Sequence, residues 1–281
     1  MKFCLAIVLI LAWGLVRPVA AQQRPLVTED PETIGAGRFL IEGGFDFARD
    51  AQYTVSGLEG DLWRVPTLGI SIGISSIAEF QIDGGFYNRL TIAQRLDAPL
   101  AAMLTVGGDT TSDVEDIVVA TKIRFLSEGA RRPAFALRFA TKLPNAQNES
   151  GLGLDTTDFF IALLGAKTVE SVRVVGNVGV GILSDPTRGD RQNDVLTYGL
   201  SLARALTDAT EVVGELNGRV STRSTPAPPG TETRGVLNLG GRYTRGALRL
   251  DTAMFFGLTA IDPTIGFAAG FTYVFNAFQV P

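Results

Sequence analysis

The chain has 281 residues, a formal net charge of −4 and no histidine. The missing histidine excludes Ser-His-Asp and Cys-His catalysis and the usual zinc ligand sets, and the mild acidity gives no electrostatic footprint for nucleic acid. On these grounds the chain reads as a non-enzyme with no cofactor and no metal.

The first 21 residues have the pattern of a secretory signal. Lys2 gives a positive start, residues 5–15 are apolar apart from Gly14, Pro18 breaks the run, and Val19-Ala20-Ala21 offers small residues for cleavage before Gln22. The apolar run of about ten to twelve residues is too short to span a bilayer as a helix. Cleavage would remove Cys4, the only cysteine, and would move the formal charge from −4 to −6, because Lys2 and Arg17 go with it. No disulfide framework is then open to the mature chain. Residues 22–36 are expected to form a periplasmic segment ahead of the first strand, and residues 37–281 one barrel domain.

From residue 39 onward the dominant pattern is alternation. Phe39, Ile41, Gly43, Phe45 and Phe47 share one face, with Glu42, Gly44 and Asp46 on the other. Leu68, Ile70, Ile72 and Ile74 follow, and then Phe80, Ile82, Gly84 and Phe86 against Gln81 and Asp83. Ile117–Phe125 sets Lys122 and Arg124 against apolar neighbours, and Phe135, Leu137 and Phe139 alternate with Arg138 and Lys142. Phe159–Lys167 is apolar on both faces and so a weaker strand pattern. Further strands are expected at 172–182 with Arg173, at 196–204, and at 212–220 with Glu211, Glu215, Asn217 and Arg219 on one face. The last three lie at 237–243 with Arg242, at 248–256 with Arg249 and Asp251, and at 265–275. A repeat of two, about twelve times over, is the mark of strands rather than helices.

The connections alternate as well. Residues 75–78, 127–133, 169–171, 207–210 and 244–246 are mostly tight links. Residues 50–60, 88–112, 144–157, 184–193, 221–233 and 259–264 are longer. Short turns on one rim and long loops on the other are expected of an outer-membrane barrel, whereas a soluble sandwich has no reason for this regularity. The expected fold is therefore all-β: a single transmembrane antiparallel up-and-down β-barrel of about twelve strands, with both termini on the periplasmic side. The expected location is the outer membrane. Its partners would be outer-membrane lipid, the barrel-assembly machinery and a small-molecule solute; the oligomeric state is not readable.

The polar faces carry charges of both signs. Lys122, Arg124, Arg138, Lys142, Arg173, Arg204, Arg219, Arg234, Arg242 and Arg249 are the cations, and Glu42, Asp46, Asp83, Asp116, Glu211, Glu215 and Asp251 the anions. Glu42, Asp46, Lys122, Arg124, Arg138, Lys142, Arg173, Glu215, Arg219 and Arg242 are the candidate lumen-lining residues. Two readings stay open: a polar pathway with a cationic bias, in which Lys122, Arg138, Lys142 and Arg173 form one positive wall, or an internal salt-bridge network that partly plugs the barrel. Glu211 and Glu215 lie four apart on one strand face, about 13 Å at strand rise, too far for a catalytic carboxylate pair. The glycine-rich run 176–181 sits in a strand rather than before a helix, which disfavours phosphate binding.

The stretch RPLVTEDPETIGAGRFLIE at residues 24–42 resembles the entry to the first strand in the outer-membrane family named after the meta-cleavage pathway of phenol degradation. KIRFLSEG at 122–129, TKLPNA at 141–146, GLGLDTTDF at 151–159 and GEL at 214–216 are similar to later stretches of that family, in the same order. Asn145-Ala146 after Pro144 departs from its usual Thr-Gly. The resemblance implies a barrel associated with passage of aromatic or other small hydrophobic compounds. The function expected from the whole reading is an outer-membrane channel or transporter for such solutes. The alternatives are a structural or adhesive barrel with a plugged lumen, or a soluble lipid-binding barrel.

Overall fold

A computed structural model describes residues 24–279. The signal segment and its cleavage site lie outside the described residues. In chain order the strands are β1 (Arg38–Tyr53), β2 (Leu58–Gly73), β3 (Ala78–Gly85), β4 (Asn88–Arg95), β5 (Thr110–Asp113), β6 (Val118–Leu126) and β7 (Ala134–Lys142). They continue as β8 (Asp158–Val169), β9 (Val172–Ser184), β10 (Gln192–Ala205), β11 (Thr210–Ser221), β12 (Arg234–Arg245), β13 (Leu248–Gly257) and β14 (Ile265–Asn276). Strand β2 pairs with both β3 and β4, β3 pairs with β6, and β4 with β5. The wall therefore has twelve staves, two of them interrupted: β3 with β4, and β5 with β6. Every pairing is antiparallel, and β1 closes the ring on β14 from Arg38↔Asn276 to Arg49↔Ile265. Closure leaves the wall without the open edge that lipid would not tolerate; β5, in the extension, pairs on one side only, with β4.

The alternating residues give the ring an apolar outside. Phe139, Ile161, Val180, Leu200, Leu216, Leu239, Leu250 and Phe271 are all exposed on it. Their strand neighbours, among them Glu215, Asn238, Arg249 and Thr272, are buried on the inside, as are Glu42 and Lys122 on other strands. Lipid is the medium that such an exterior fits, so the wall spans a membrane. Phe39 stacks on Phe275 at the rim of short turns, and Phe45, Phe47, Trp63 and Phe267 cluster toward the opposite rim.

The long-loop side holds more strand than the sequence pattern suggests. Residues 50–60, read as a loop, belong mostly to the hairpin of β1 and β2, and residues 88–112 contain β4 and β5. In this extension the inside is apolar: Ala48, Ala51, Leu58, Leu62 and Leu90 form one buried cluster, joined by Tyr53, Ile92, Leu104 and Leu152. The change of phase happens at irregular steps. On β2, Arg64 and Thr67 both bond to inward partners, so Val65 and Pro66 between them stand exposed. Beside them Phe86 and Tyr87 do the same between β3 and β4, with Val65 N–H donating to Tyr87 O at 2.8 Å. An extra residue in a strand turns all that follow onto the other face.

Candidate functional site in the barrel interior

The interior is occupied. Residues 24–36, expected in the periplasm ahead of the barrel, run inside the ring and leave it at the short-turn rim, where Gly37 N–H bonds Gly73 O at 2.8 Å. The physical reason is charge: these residues carry the partners that the inward strand faces lack. Glu29 accepts from Gln81 at 2.9 Å and Lys122 at 3.0 Å, and lies 3.4 Å from Arg138. Asp30 pairs with Arg173, Nη2 donating at 2.6 Å, and Glu32 pairs with Arg124. Lys122 Nζ also reaches Glu79 at 3.0 Å and the Asp30 carbonyl at 2.8 Å. Of the positive wall expected from Lys122, Arg138, Lys142 and Arg173, all but Lys142 meet acids from the N-terminal segment, and Lys142 pairs with Asp116 and Asp158 of the wall and its loops.

The backbone of that segment is held too. Glu215 accepts from the N–H groups of Val27, at 2.9 Å, and Thr28, and from Asn238 Nδ2 at 2.7 Å. Asn177 brackets Glu29, taking its N–H at 2.7 Å and donating to its carbonyl at 2.8 Å. Ile34 N–H donates to Glu79 at 2.7 Å. Arg24 bridges β2 and β14 over β1, donating to Thr67 and to the Ala269 carbonyl at 3.0 Å each, while Arg242 Nε donates to the Arg24 carbonyl at 2.8 Å. The wall makes room for it: a Cβ on Gly270 would meet the Arg24 guanidinium at 2.5 Å, and one on Gly199 would meet Thr28 Oγ1 at 2.5 Å. Small residues where another backbone or side chain comes close are what a fitted interior needs.

The ten residues selected from sequence all lie on the interior face. Lys122, Arg124, Arg138, Arg173, Glu215 and Arg242 bind the N-terminal segment. So does Glu42, which receives Thr272 Oγ1 at 3.1 Å and Arg24 N–H at 3.4 Å. Asp46 instead pairs with Arg64 at 2.8 Å, and Lys142 with Asp116 and Asp158 at 3.1 and 3.0 Å. Among the described residues Arg219 donates only to carbonyls, of Glu232 at 2.9 Å and Gly230 at 2.8 Å. Arg204 is misplaced in the sequence reading: it shares the outward face of Leu200 and Leu202. Arg24, Glu29, Asp30, Glu32 and Glu79 were missed. The signal for the four acids was the surplus of cations over anions on the predicted inner faces, which requires acids from elsewhere in the chain; nothing in the pattern marks Arg24.

At the short-turn rim Glu128 closes this network. Burial pushes its carboxyl up, but bonds from Thr168 N–H at 2.8 Å, Lys167 at 3.1 Å and Arg173 at 3.0 Å outweigh that and hold it below the usual carboxylate range. At the opposite mouth the long loops fold inward. Leu100 N–H bonds Val55 O at 3.0 Å, Ser56 Oγ donates to Gly151 O at 2.7 Å, and Gly230 N–H reaches Thr54 Oγ1 at 3.0 Å. Between loops and N-terminal segment a cavity of about 470 Å³ remains, with Phe160, Ala162 and Leu164 of β8 on one side and Asn217, Arg219 and Arg234 on another. The doubly apolar character of β8 has its reason here: one face meets lipid and the other this cavity.

No family profile matches the sequence, and no curated protein matches it. The fold matches the crystal structure of an outer membrane channel from Pseudomonas putida F1, with TM-score 0.63 at 13% identity over 88% of this chain and 98% of that one. The translocator domain of the autotransporter NalP from Neisseria meningitidis follows more loosely, with TM-score 0.44 and 15% identity over 85% of this chain and 88% of that one. A mutant of the TodX monoaromatic hydrocarbon channel gives 0.41 and 10% over 89% and 93%. At such identities the likeness concerns the fold. The expectation that the chain is a non-enzyme does not stand. LpxR from Salmonella typhimurium also matches loosely, with TM-score 0.43 and 9% identity over 84% of this chain and 99% of that one, and neither the missing histidine nor a barrel fold decides between channel and enzyme. Nor does the fold establish an activity. The chain has the fold of an outer-membrane β-barrel that resembles solved channels.

Proposed function

We propose that this barrel is an outer-membrane channel for small, largely apolar solutes, and that residues 24–36 are a resident plug rather than a periplasmic linker. The observation that carries the reading is the cavity inside a membrane-spanning wall, bounded by apolar Phe160 and Leu164 and floored by the plug. The likeness to a channel from Pseudomonas putida F1 supports it. So does the resemblance to the family named after phenol degradation: the Thr-Glu-Asp-Pro stretch that carries it contains Glu29 and Asp30, which hold the plug to Lys122, Arg138 and Arg173. In the same reading residues 1–21 are removed on export, the barrel-assembly machinery inserts the chain, and the C-terminal end faces the periplasm, whereas Arg24, close to the expected cleavage site, sits inside the ring rather than in the periplasm.

A second reading, a plugged barrel with a structural role, draws on the ion pairs that cross the lumen. Two measurements separate them. Cells that carry the protein in an otherwise intact outer membrane should take up a neutral monoaromatic faster than cells without it; equal uptake leaves the structural reading. In planar bilayers the parent should show small unitary conductance, and deletion of residues 24–34 should raise it severalfold. An unchanged conductance would show that the passage does not run through the interior.

A further inference from the structure

The charged groups that border the interior cavity are not balanced. Arg138 lies 3.4 Å from Glu29, and Arg234 lies 3.5 Å from Asp262. Arg219 is the third cation, and among the described residues it makes no ion pair; the carbonyls of Gly230 and Glu232 are its only bonded acceptors there. Asn217 stands two residues away on the same inward face of β11. Its Nδ2 is buried and has no acceptor. A guanidinium that no carboxylate reaches within ion-pair distance, Glu232, Asp158 and Asp262 acting on it only from farther off, and an amide without an acceptor are each costly in a poorly solvated place, and one anion placed between them relieves both. Two same-face residues are about 7 Å apart along a strand, a gap that a carboxylate between the two side chains can bridge.

The other side of the cavity chooses the rest of the ligand. Phe160 and Leu164 face it from β8 and Val236 from β12, and none of them offers a hydrogen bond to an inorganic ion. The volume of about 470 Å³ leaves room for a single-ring molecule. One cation with no ion pair calls for one negative charge.

We propose that this cavity binds a small organic monoanion: a carboxylate on an aromatic or similarly apolar body, with its oxygens on Arg219 and Asn217 and its body against Phe160 and Leu164. The proposal narrows the solute class of the channel reading and rests on it for physiological meaning, but binding itself requires no transport.

The test uses the full chain, folded in detergent micelles, with folding of every variant checked by its heat-modifiable gel mobility. Titration of 4-fluorobenzoate followed by ¹⁹F NMR should saturate one site. The neutral isostere 4-fluorobenzamide should bind at least about tenfold more weakly, since bonds to a charged group are lost. Arg219→Gln should weaken benzoate by about tenfold and leave benzamide where it was, and Phe160→Ala should weaken both. Should Arg219→Gln fail to fold, Asn217→Leu serves instead, with a severalfold loss for benzoate alone. Equal affinity for anion and amide, absence of saturable benzoate binding, or indifference to both Arg219→Gln and Asn217→Leu overturns the proposal. A barrel that binds benzoate in this way yet speeds no solute uptake keeps the site and loses the channel reading. One that speeds uptake of a neutral monoaromatic but does not bind benzoate does the reverse.

Discussion

Strand β2 runs through two environments, and the same alternating chemistry serves opposite ends in them. In the membrane wall Leu68, Ile70 and Ile72 face out, each paired with an outward residue of β1: Gly43, Ile41 and Phe39. In the extension beyond Val65-Pro66, Leu58 and Leu62 face in and are buried, while Glu59 and Asp61 take the outer face. Strand β4 repeats the second arrangement, with Leu90 inside and Arg89 and Thr91 outside. The wall therefore encloses a charged interior within an apolar skin, and the extension an apolar interior within a polar one. Alternation says only that two faces differ; the medium outside decides which face goes where.

The interiors differ most, and the largest effect should come from treating one as the other. Lys122 is almost wholly buried between Glu29 and Glu79. Lys122→Leu supplies an apolar side chain of the kind the extension packs at Leu90. In the wall it leaves two buried carboxylates short of a cation and should cost about 3–5 kcal/mol. Urea titration of folding into lipid vesicles measures this. A loss under about 1 kcal/mol would mean that the ion pairs to the plug contribute little and that the wall interior tolerates an apolar core.

The outer faces come next. Leu200 is exposed near the middle of β10, on the face that meets lipid. Leu200→Arg should cost about 2–4 kcal/mol at that depth. Thr91→Arg places the same side chain on the outer face of β4 and should stay within about 0.5 kcal/mol of the parent, because water surrounds that face. Equal costs at both positions would put the extension in the bilayer and erase the distinction.

Much of the wall was legible because its signal is local. Each of the twelve staves holds several alternating residues, and Phe135, Leu137 and Phe139 come out on the outward side as their spacing implies. The extension was not legible for two reasons. Its phase is inverted, so Arg89 and Thr91 read as loop polarity. The exposed pairs Val65-Pro66 and Phe86-Tyr87 also break the period where it changes. The interior was half legible. Spacing put Lys122, Arg138 and Arg173 on one side of the sheet, but nothing periodic marks residues 24–36, and strand periodicity cannot show that Glu29 and Asp30 come back to meet them. Only the surplus of cations hinted at missing acids. The cavity was hidden likewise: an apolar inner face on β8 looks from sequence like a poor strand, not like the side of a binding site.

The smallest expected effect lies at the short-turn rim, where wall and water meet. Glu128 sits in the turn between β6 and β7, facing Lys167 and Thr168 of β8 and Arg173 of β9, which in turn holds Asp30 of the plug. Its carboxyl is held below its usual value in the folded state, so the unfolded chain takes up its proton first as pH falls. The stabilisation is complete above the unfolded value near 4.5 and is lost as pH drops through the lower folded value. The group is partly open to solvent, so screening keeps the effect modest. Glu128→Gln should be slightly less stable than the parent at pH 6 and should approach it as the medium is acidified below about 4, because the parent then loses what the variant never had. The check is the difference between their urea midpoints in vesicles at a series of pH values from 6 to about 3, with Asp30→Asn as a reference for the neighbouring pair. A difference that stays constant across that range would show that the Glu128 bonds act as neutral hydrogen bonds, with no charge linking the rim to the plug.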